Sequence, residues 1–333
     1  MKLVLEIGAV LLFVWVLYDL FITVFKMSGA GPLTRLWTRG VWRVLLGVHR
    51  WKPIHGVLSF AGALMLPAGI LLWYLLLAGS CFILFWLNPG SVVNGSTGAV
   101  VGEASRIFYF VNTMLTGLGF GDLIPAGMPW TWFGIFSTLI STMLITVTLS
   151  YVLAVLSAAI ERRKLARSLY GLGEDPAEVV ENAFPEAGGV SMDSYFVTKS
   201  EEILEQALKQ KAYPILKFLH SSHRRDSPCG ALLMLSDAFF LVGHLPDSRR
   251  KPAPGVQRLV TTAIRHYVEG AARPVCEPPP EMVSHQELER AVDRLGIQRG
   301  KDFEQALNIY RDHRRHMLGL CREDGWEWNM RGS

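Results

Sequence analysis

Apolar residues run almost unbroken through three stretches before residue 161; beyond it the chain turns charged and is punctuated by proline. The first stretch, Leu3–Phe25, satisfies the length of about 20 apolar residues that a helix needs to cross a bilayer. No small-residue cleavage site follows it, so it reads as a span and not as a signal peptide. The second, Val57–Leu87, is too long for one upright helix and too short for two, so it tilts or begins its apolar crossing near Pro67. The third, Trp132–Ile160, would extend about 43 Å at a rise of about 1.5 Å per residue. A hydrocarbon core is about 30 Å thick, so this helix must tilt or project beyond the bilayer. Ser105–Leu115, between the second and third spans, is also apolar, but at about three helical turns it is too short to cross. It reads as a half-helix that enters from outside and returns.

Composition supports a chain divided into a membrane half and a soluble half. Of the 333 residues 50% are hydrophobic, and mean hydropathy is positive. Those values are too apolar for an ordinary soluble domain and too polar for a chain that is membrane throughout. Basic residues set the orientation. The 26–56 connection holds Lys26, Arg35, Arg39, Arg43, Arg50 and Lys52 with no acidic residue, and the third span is followed by Glu161-Arg162-Arg163-Lys164-Leu165-Ala166-Arg167. The positive-inside bias puts both in the cytoplasm, leaving the N-terminus and the Asn88–Trp130 connection outside. The expected location is the cell (plasma or inner) membrane, with the C-terminal part cytoplasmic. Lipid is the partner implied; nothing here points to nucleic acid. Arg35, Arg39 and Arg43 recur every four residues among Leu36, Trp37, Val41, Trp42 and Leu45. That spacing suits an amphipathic helix on the inner headgroups, with a solvated basic loop as the alternative.

The outer connection carries the chemistry. Asn88–Glu103 is rich in Gly, Ser, Asn and Val and reads as an exposed loop. After the half-helix comes Thr116-Gly117-Leu118-Gly119-Phe120-Gly121-Asp122. Glycine can take backbone dihedrals closed to residues with a Cβ. Successive carbonyls can then face one axis and replace the water around a cation. The half-helix aims its partially negative C-terminal end at the same place. Non-helical backbone at this depth survives only where protein or a water-filled cavity surrounds it.

A span, a re-entrant helix, Thr-Gly-Leu-Gly-Phe-Gly-Asp and a closing span together resemble the pore module of the tetrameric potassium channels, whose filter typically reads Thr-Thr-Val-Gly-Tyr-Gly-Asp. The resemblance covers about residues 57–162, and the basic segment before it resembles that family's slide helix. The match holds at Thr116, Gly119, Gly121 and Asp122, with Phe120 standing for Tyr and Leu118 for Val. It implies an all-α membrane protein and a homotetramer with one filter strand from each chain. Monovalent cations, K+ or Na+ with K+ favoured, would bind at the carbonyls of Gly117, Leu118, Gly119 and Phe120, with no other cofactor. Gly117 stands where the family keeps a threonine whose hydroxyl lines the innermost site. Its loss, and the added backbone freedom, imply a looser inner site, and with it either relaxed potassium selectivity or a filter that rearranges during gating. Phe120 lacks the hydroxyl by which the usual tyrosine is tethered, which implies a less rigid filter.

Two readings stand for Asp122: a hydrogen bond from Tyr109, like the family's brace behind the filter, or a solvated carboxylate that concentrates cations. Thr138, Thr142, Thr146 and Ser150 recur every four residues on one slowly rotating face of the third span. They would line a vestibule below the filter, or they would pack and hydrogen-bond between helices. Asp19 and Glu6 lie near the ends of the first span, where snorkelling or, for Asp19, pairing with Lys26 would satisfy them. That span lacks the regular arginines of a voltage sensor.

Beyond residue 162 the pattern predicts an all-α domain. Its helices are a start at Asp175-Pro176, Lys199–His220 bent or interrupted at Pro214, Gly230–Leu245, Gly255–Ala272, Gln286–Leu295 behind a Ser284/Glu287 capping box, and Asp302–Arg322. There is no Gly-x-Gly-x-x-Gly between strand and helix, and no strand series for a cyclic-nucleotide barrel. Cys81, Cys229, Cys276 and Cys321 show no paired spacing. His220/His223 and His313/His316 have a spacing open to metal but lack nearby acidic or thiol partners. The expected divisions are 1–25 (peripheral span), 26–56 (interfacial segment), 57–162 (pore module) and 163–333 (cytoplasmic domain, with an unknown ligand or a tetramer-cementing role). No nucleophile, metal or phosphate site suggests an enzyme. The rivals are a non-conducting receptor or scaffold that keeps a pore fold, and a transporter subunit, against which a single repeat with two filter glycines argues.

Overall fold

The computed structural model describes residues 1–26, 29–51, 55–185, 192–220, 223–247, 250–270 and 285–326. Ser284, Cys276, the Glu277–Pro280 loop, the closing Met330–Ser333, Lys52 and the side chains of Arg50 and Trp51 fall outside that description. The elements run α1 (Lys2–Phe25), α2 (Pro32–Trp51), α3 (His55–Trp86), β1 (Val92–Asn94), α4 (Ala104–Leu115), β2 (Leu123–Pro125) and α5 (Met128–Tyr170). They continue with α6 (Pro176–Ala183), α7 (Asp193–Ala212), α8 (Pro228–Gly243), α9 (Pro254–Gly270), α10 (Gln286–Arg294) and α11 (Lys301–Glu323). Three helices contain stretches long and apolar enough to cross a membrane: Lys2–Phe25, Gly62–Trp86 and Met128–Tyr170. The 12 residues of α4 extend only about 18 Å.

The chain forms two compact units, one of Met1–Val41 with Leu64–Ala154, the other of Trp42–Ala63 with Val155–Ser333. In the first, α1 buries Ala9, Phe13, Val16, Asp19 and Thr23 at helical spacing. Its other faces expose Val10, Leu11, Trp15 and Phe21, the all-round apolarity of a helix bathed in lipid. Phe85 of α3 is the hub of the unit's core. Its ring lies 5.1 Å from Phe110 of α4, 5.1 Å from Trp130 and 5.6 Å from Phe133 of α5. Ile107, Phe110, Val111 and Leu115 turn the buried face of α4 into that cluster.

The outer connection departs from the exposed loop expected of it. Val92–Asn94 pairs antiparallel with Leu123–Pro125, and Ser91, Val92 and Val101 are buried. Helix α5 also runs past the expected end at Ile160. Glu161–Arg167 are good helix formers, and nothing breaks the helix before Gly171.

The second unit is helical throughout its described part. Asp175 caps α6, its carboxylate accepting from the Glu178 amide at 2.9 Å, with Pro176 in the first turn. Helix α7 starts six residues earlier than expected and stops before Pro214, where a 3-10 turn (Pro214–Phe218) follows. Proline disfavours helical dihedrals in the residue before it, so of the expected bend or interruption at Pro214 the chain takes the interruption. The cap of α10 is His285, with no side-chain capping bond. Helix α8 is buried on nearly every face, and rings of Phe184, Phe196 and Phe239 meet around it at 5.0–5.6 Å. Its Asp237 forms a fully buried ion pair with Arg314 of α11 at 3.0 Å, and Tyr310 donates to the same carboxylate at 2.7 Å. Burial pushes the Cys229 thiol up to about 12, so it stays protonated at neutral pH. Cys81, Cys229 and Cys321 are free and buried.

Candidate functional site

The heptapeptide 116–122 follows α4 directly and is exposed along its whole length in the single chain. Its backbone alternates in hand. The φ angles of Gly117, Gly119 and Gly121 are +73°, +50° and +80°, whereas Leu118 and Phe120 keep negative φ like every described non-glycine residue. Alternating right- and left-handed residues turn successive peptides so that amides share one side and carbonyls the other. Residues with a Cβ resist the left-handed region by roughly 1–2 kcal/mol, so glycine at every second position is what this backbone requires.

The amides show which side is which. Gly117 N donates to Met114 O at 3.1 Å and Gly119 N to Thr113 O at 3.3 Å, both at the C-terminal end of α4. These peptides are trans. The carbonyls of Thr116 and Leu118 therefore point away from α4. The Thr116 hydroxyl is turned back to Asn112 O at 2.7 Å.

Three side chains hold this end of α4. Tyr109 Oη donates to Asp122 Oδ1 at 3.3 Å, and the Tyr109 ring lies parallel to Phe120 with centroids 6.4 Å apart. Tyr74 of α3 donates to Asn112 Oδ1 at 2.9 Å. Thr138 of α5 donates to Met114 O at 3.1 Å. Thr138 is half-buried and bonds to α4, whereas Thr142, Thr146 and Ser150 are exposed in the single chain. Each of those three donates its hydroxyl to the carbonyl four residues earlier, at 3.0, 3.0 and 3.3 Å.

Sequence reasoning missed Tyr74 and Asn112, although a lone asparagine inside the apolar run Phe108–Leu115 was a readable signal. It also assigned Asp19 to snorkelling or to Lys26. Asp19 is instead fully buried and accepts from the Leu33 amide (2.7 Å), the Thr34 amide (3.2 Å), the Thr34 hydroxyl (2.5 Å) and Trp73 Nε1 (3.0 Å). Glu6 accepts from Asn88 Nδ2 at 2.9 Å. Of the paired histidines, His220 is buried with Nδ1 2.5 Å from the Asp324 carbonyl, and His316 Nδ1 lies 2.9 Å from Asp312 O.

Among known proteins, the chain is similar to one of Bacillus subtilis (strain 168) described as the uncharacterized membrane protein YdjJ. The two are 27% identical over 326 residues, which span 96% of this chain and 94% of that one. No protein-family model and no solved structure matches the chain. With its three long apolar helices and this relative, the chain is a helical membrane protein.

Proposed function

We propose that the chain is one quarter of a homotetrameric, potassium-channel-like cation channel that conducts monovalent cations passively. The observation that carries this reading is the alternating hand of residues 117–121, with the Gly117 and Gly119 amides tied back to α4. One such strand supplies a quarter of a carbonyl ring, and closed fourfold symmetry completes it. On this reading α5 lines the path, α3 stands outside it and α1 is peripheral. The N-terminus faces out of the cell membrane, and the basic segments and helical domain face the cytoplasm. The helical domain couples a signal to the gate or cements the tetramer, and no step of passive conduction needs a catalytic residue.

The test is ion flux through purified protein in liposomes. Uptake of K+ should exceed leak, and reversal potentials in K+/Na+ gradients should show modest preference for K+. Gly117→Thr should change that preference: it adds a hydroxyl ring and forces a β-branched residue onto a position at φ +73°. Absence of flux in the wild type sinks the channel and leaves the receptor or scaffold. Equal selectivity in the two proteins removes the role given to Gly117.

A further inference from the structure

The outer connection is built against the last residues of the filter. Asn94 Oδ1 accepts from the amides of Ser96 (3.0 Å) and Thr97 (2.9 Å), and its main chain pairs with Gly98 and Ala99 at 2.9 Å each. This closes a tight turn whose tip presents Gly95. The Gly95 amide donates to Asp122 O at 2.9 Å. A Cβ at Gly95 would fall 2.3 Å from Gly121 O and 3.7 Å from Asp122 O. The space a side chain would fill is thus taken by the Gly121 carbonyl. Neighbouring Gly90, Gly98 and Gly102 have nothing within 4 Å of a Cβ. The β1/β2 pairing, continued by Ala126 N to Ser91 O at 2.8 Å, locks the register of this approach.

We propose that Gly95 is a positioning residue for the outer end of the filter. Its amide ties down the Asp122 carbonyl and its missing Cβ leaves the Gly121 carbonyl room against the outer connection, so the oxygen column offered to a cation ends at Phe120. This rests on the channel reading and adds to it a control point contributed by a segment far from the filter in sequence. A Cβ at Gly95 expels the Gly121 oxygen, and the wide dihedral range of glycine then lets it swing toward the axis as an additional outermost ring.

The experiment measures conductance in planar bilayers while K+ is varied on the outer side alone. G95A should raise the apparent affinity for outer K+ by about tenfold, the order of one added contact of hydrogen-bond strength. Its dependence on inner K+ should stay put. N94A, which releases the turn without adding a Cβ at position 95, should shift outer affinity the same way. G102A should behave as wild type. Amide hydrogen exchange on the full-length wild type should find Gly95 protected, and exchange there at the rate of an unstructured peptide overturns the proposal whatever the variants do. So does outer-K+ dependence in G95A and N94A that matches wild type. Failure of the channel reading is a different result: all four proteins, G102A included, would be silent.

Discussion

Asp19 is a carboxylate inside an apolar helix, and such a group is costly unless its lone pairs are filled. Here two of the four donors are first-turn amides of α2, which have no helical partner of their own. Asp19 thus caps a helix that starts 13 residues further along the chain. Asp19→Ala leaves those amides and Trp73 Nε1 without their acceptor, at a cost of about 1–3 kcal/mol. Thermal unfolding of detergent-solubilised protein checks this: the Ala variant should melt lower than wild type, with Asp19→Asn in between. An unchanged midpoint in Asp19→Ala removes the capping role. The sequence showed a carboxylate and a lysine seven residues apart and made them candidates for a pair. The true partners lie across a chain reversal, where spacing along the helix carries no information. Gly117, Gly119 and Gly121 are the opposite case, because a positive φ repeated at every second residue leaves its trace in the residue type itself.

At the scale of elements, the spans and the short α4 were legible because length and apolarity suffice to find them. The outer ribbon was not. Val92–Asn94 and Leu123–Pro125 are three residues each, too short to show alternation, and their pairing joins segments on opposite sides of α4. The stop of α7 before Pro214 and the extension of α5 to Tyr170 were matters of boundary, settled by local helix-breaking chemistry. The hydroxyl stripe on α5 also divides by what each member touches. Thr138 shares its proton between Met114 O of a different element (3.1 Å) and Gly134 O of its own helix (2.9 Å), whereas Thr142 back-bonds within its own helix. Thr138→Val should therefore destabilise by about 1 kcal/mol, and Thr142→Val should be near neutral, since back-bonding to the preceding turn gains a helix little. Parallel melts of the two variants decide it; equal losses would refute the distinction.

For the molecule as a whole, the helical domain sets part of the pH response. Burial holds the His313 imidazole below its ordinary value, with Arg265 of α9 and neighbouring His316 adding like-charge repulsion. The unfolded chain then binds a proton more readily than the folded one. Stability is fully present above about pH 6.5 and falls as pH drops through the ordinary histidine value toward the folded one. His313→Gln should flatten the change in melting temperature between pH 7 and 5, as followed by scanning fluorimetry on the full chain; an unaltered slope would contradict this. A different consequence follows from the exposed ladder on α5. Thr142, Thr146 and Ser150 have each spent their one proton inward, so only lone pairs face out. Repeated around a fourfold axis, such ladders would offer a passing cation substitutes for its hydration water at every turn. On the channel reading, a chloride ion would meet no ready donor along them, so the ladders would favour cations over anions.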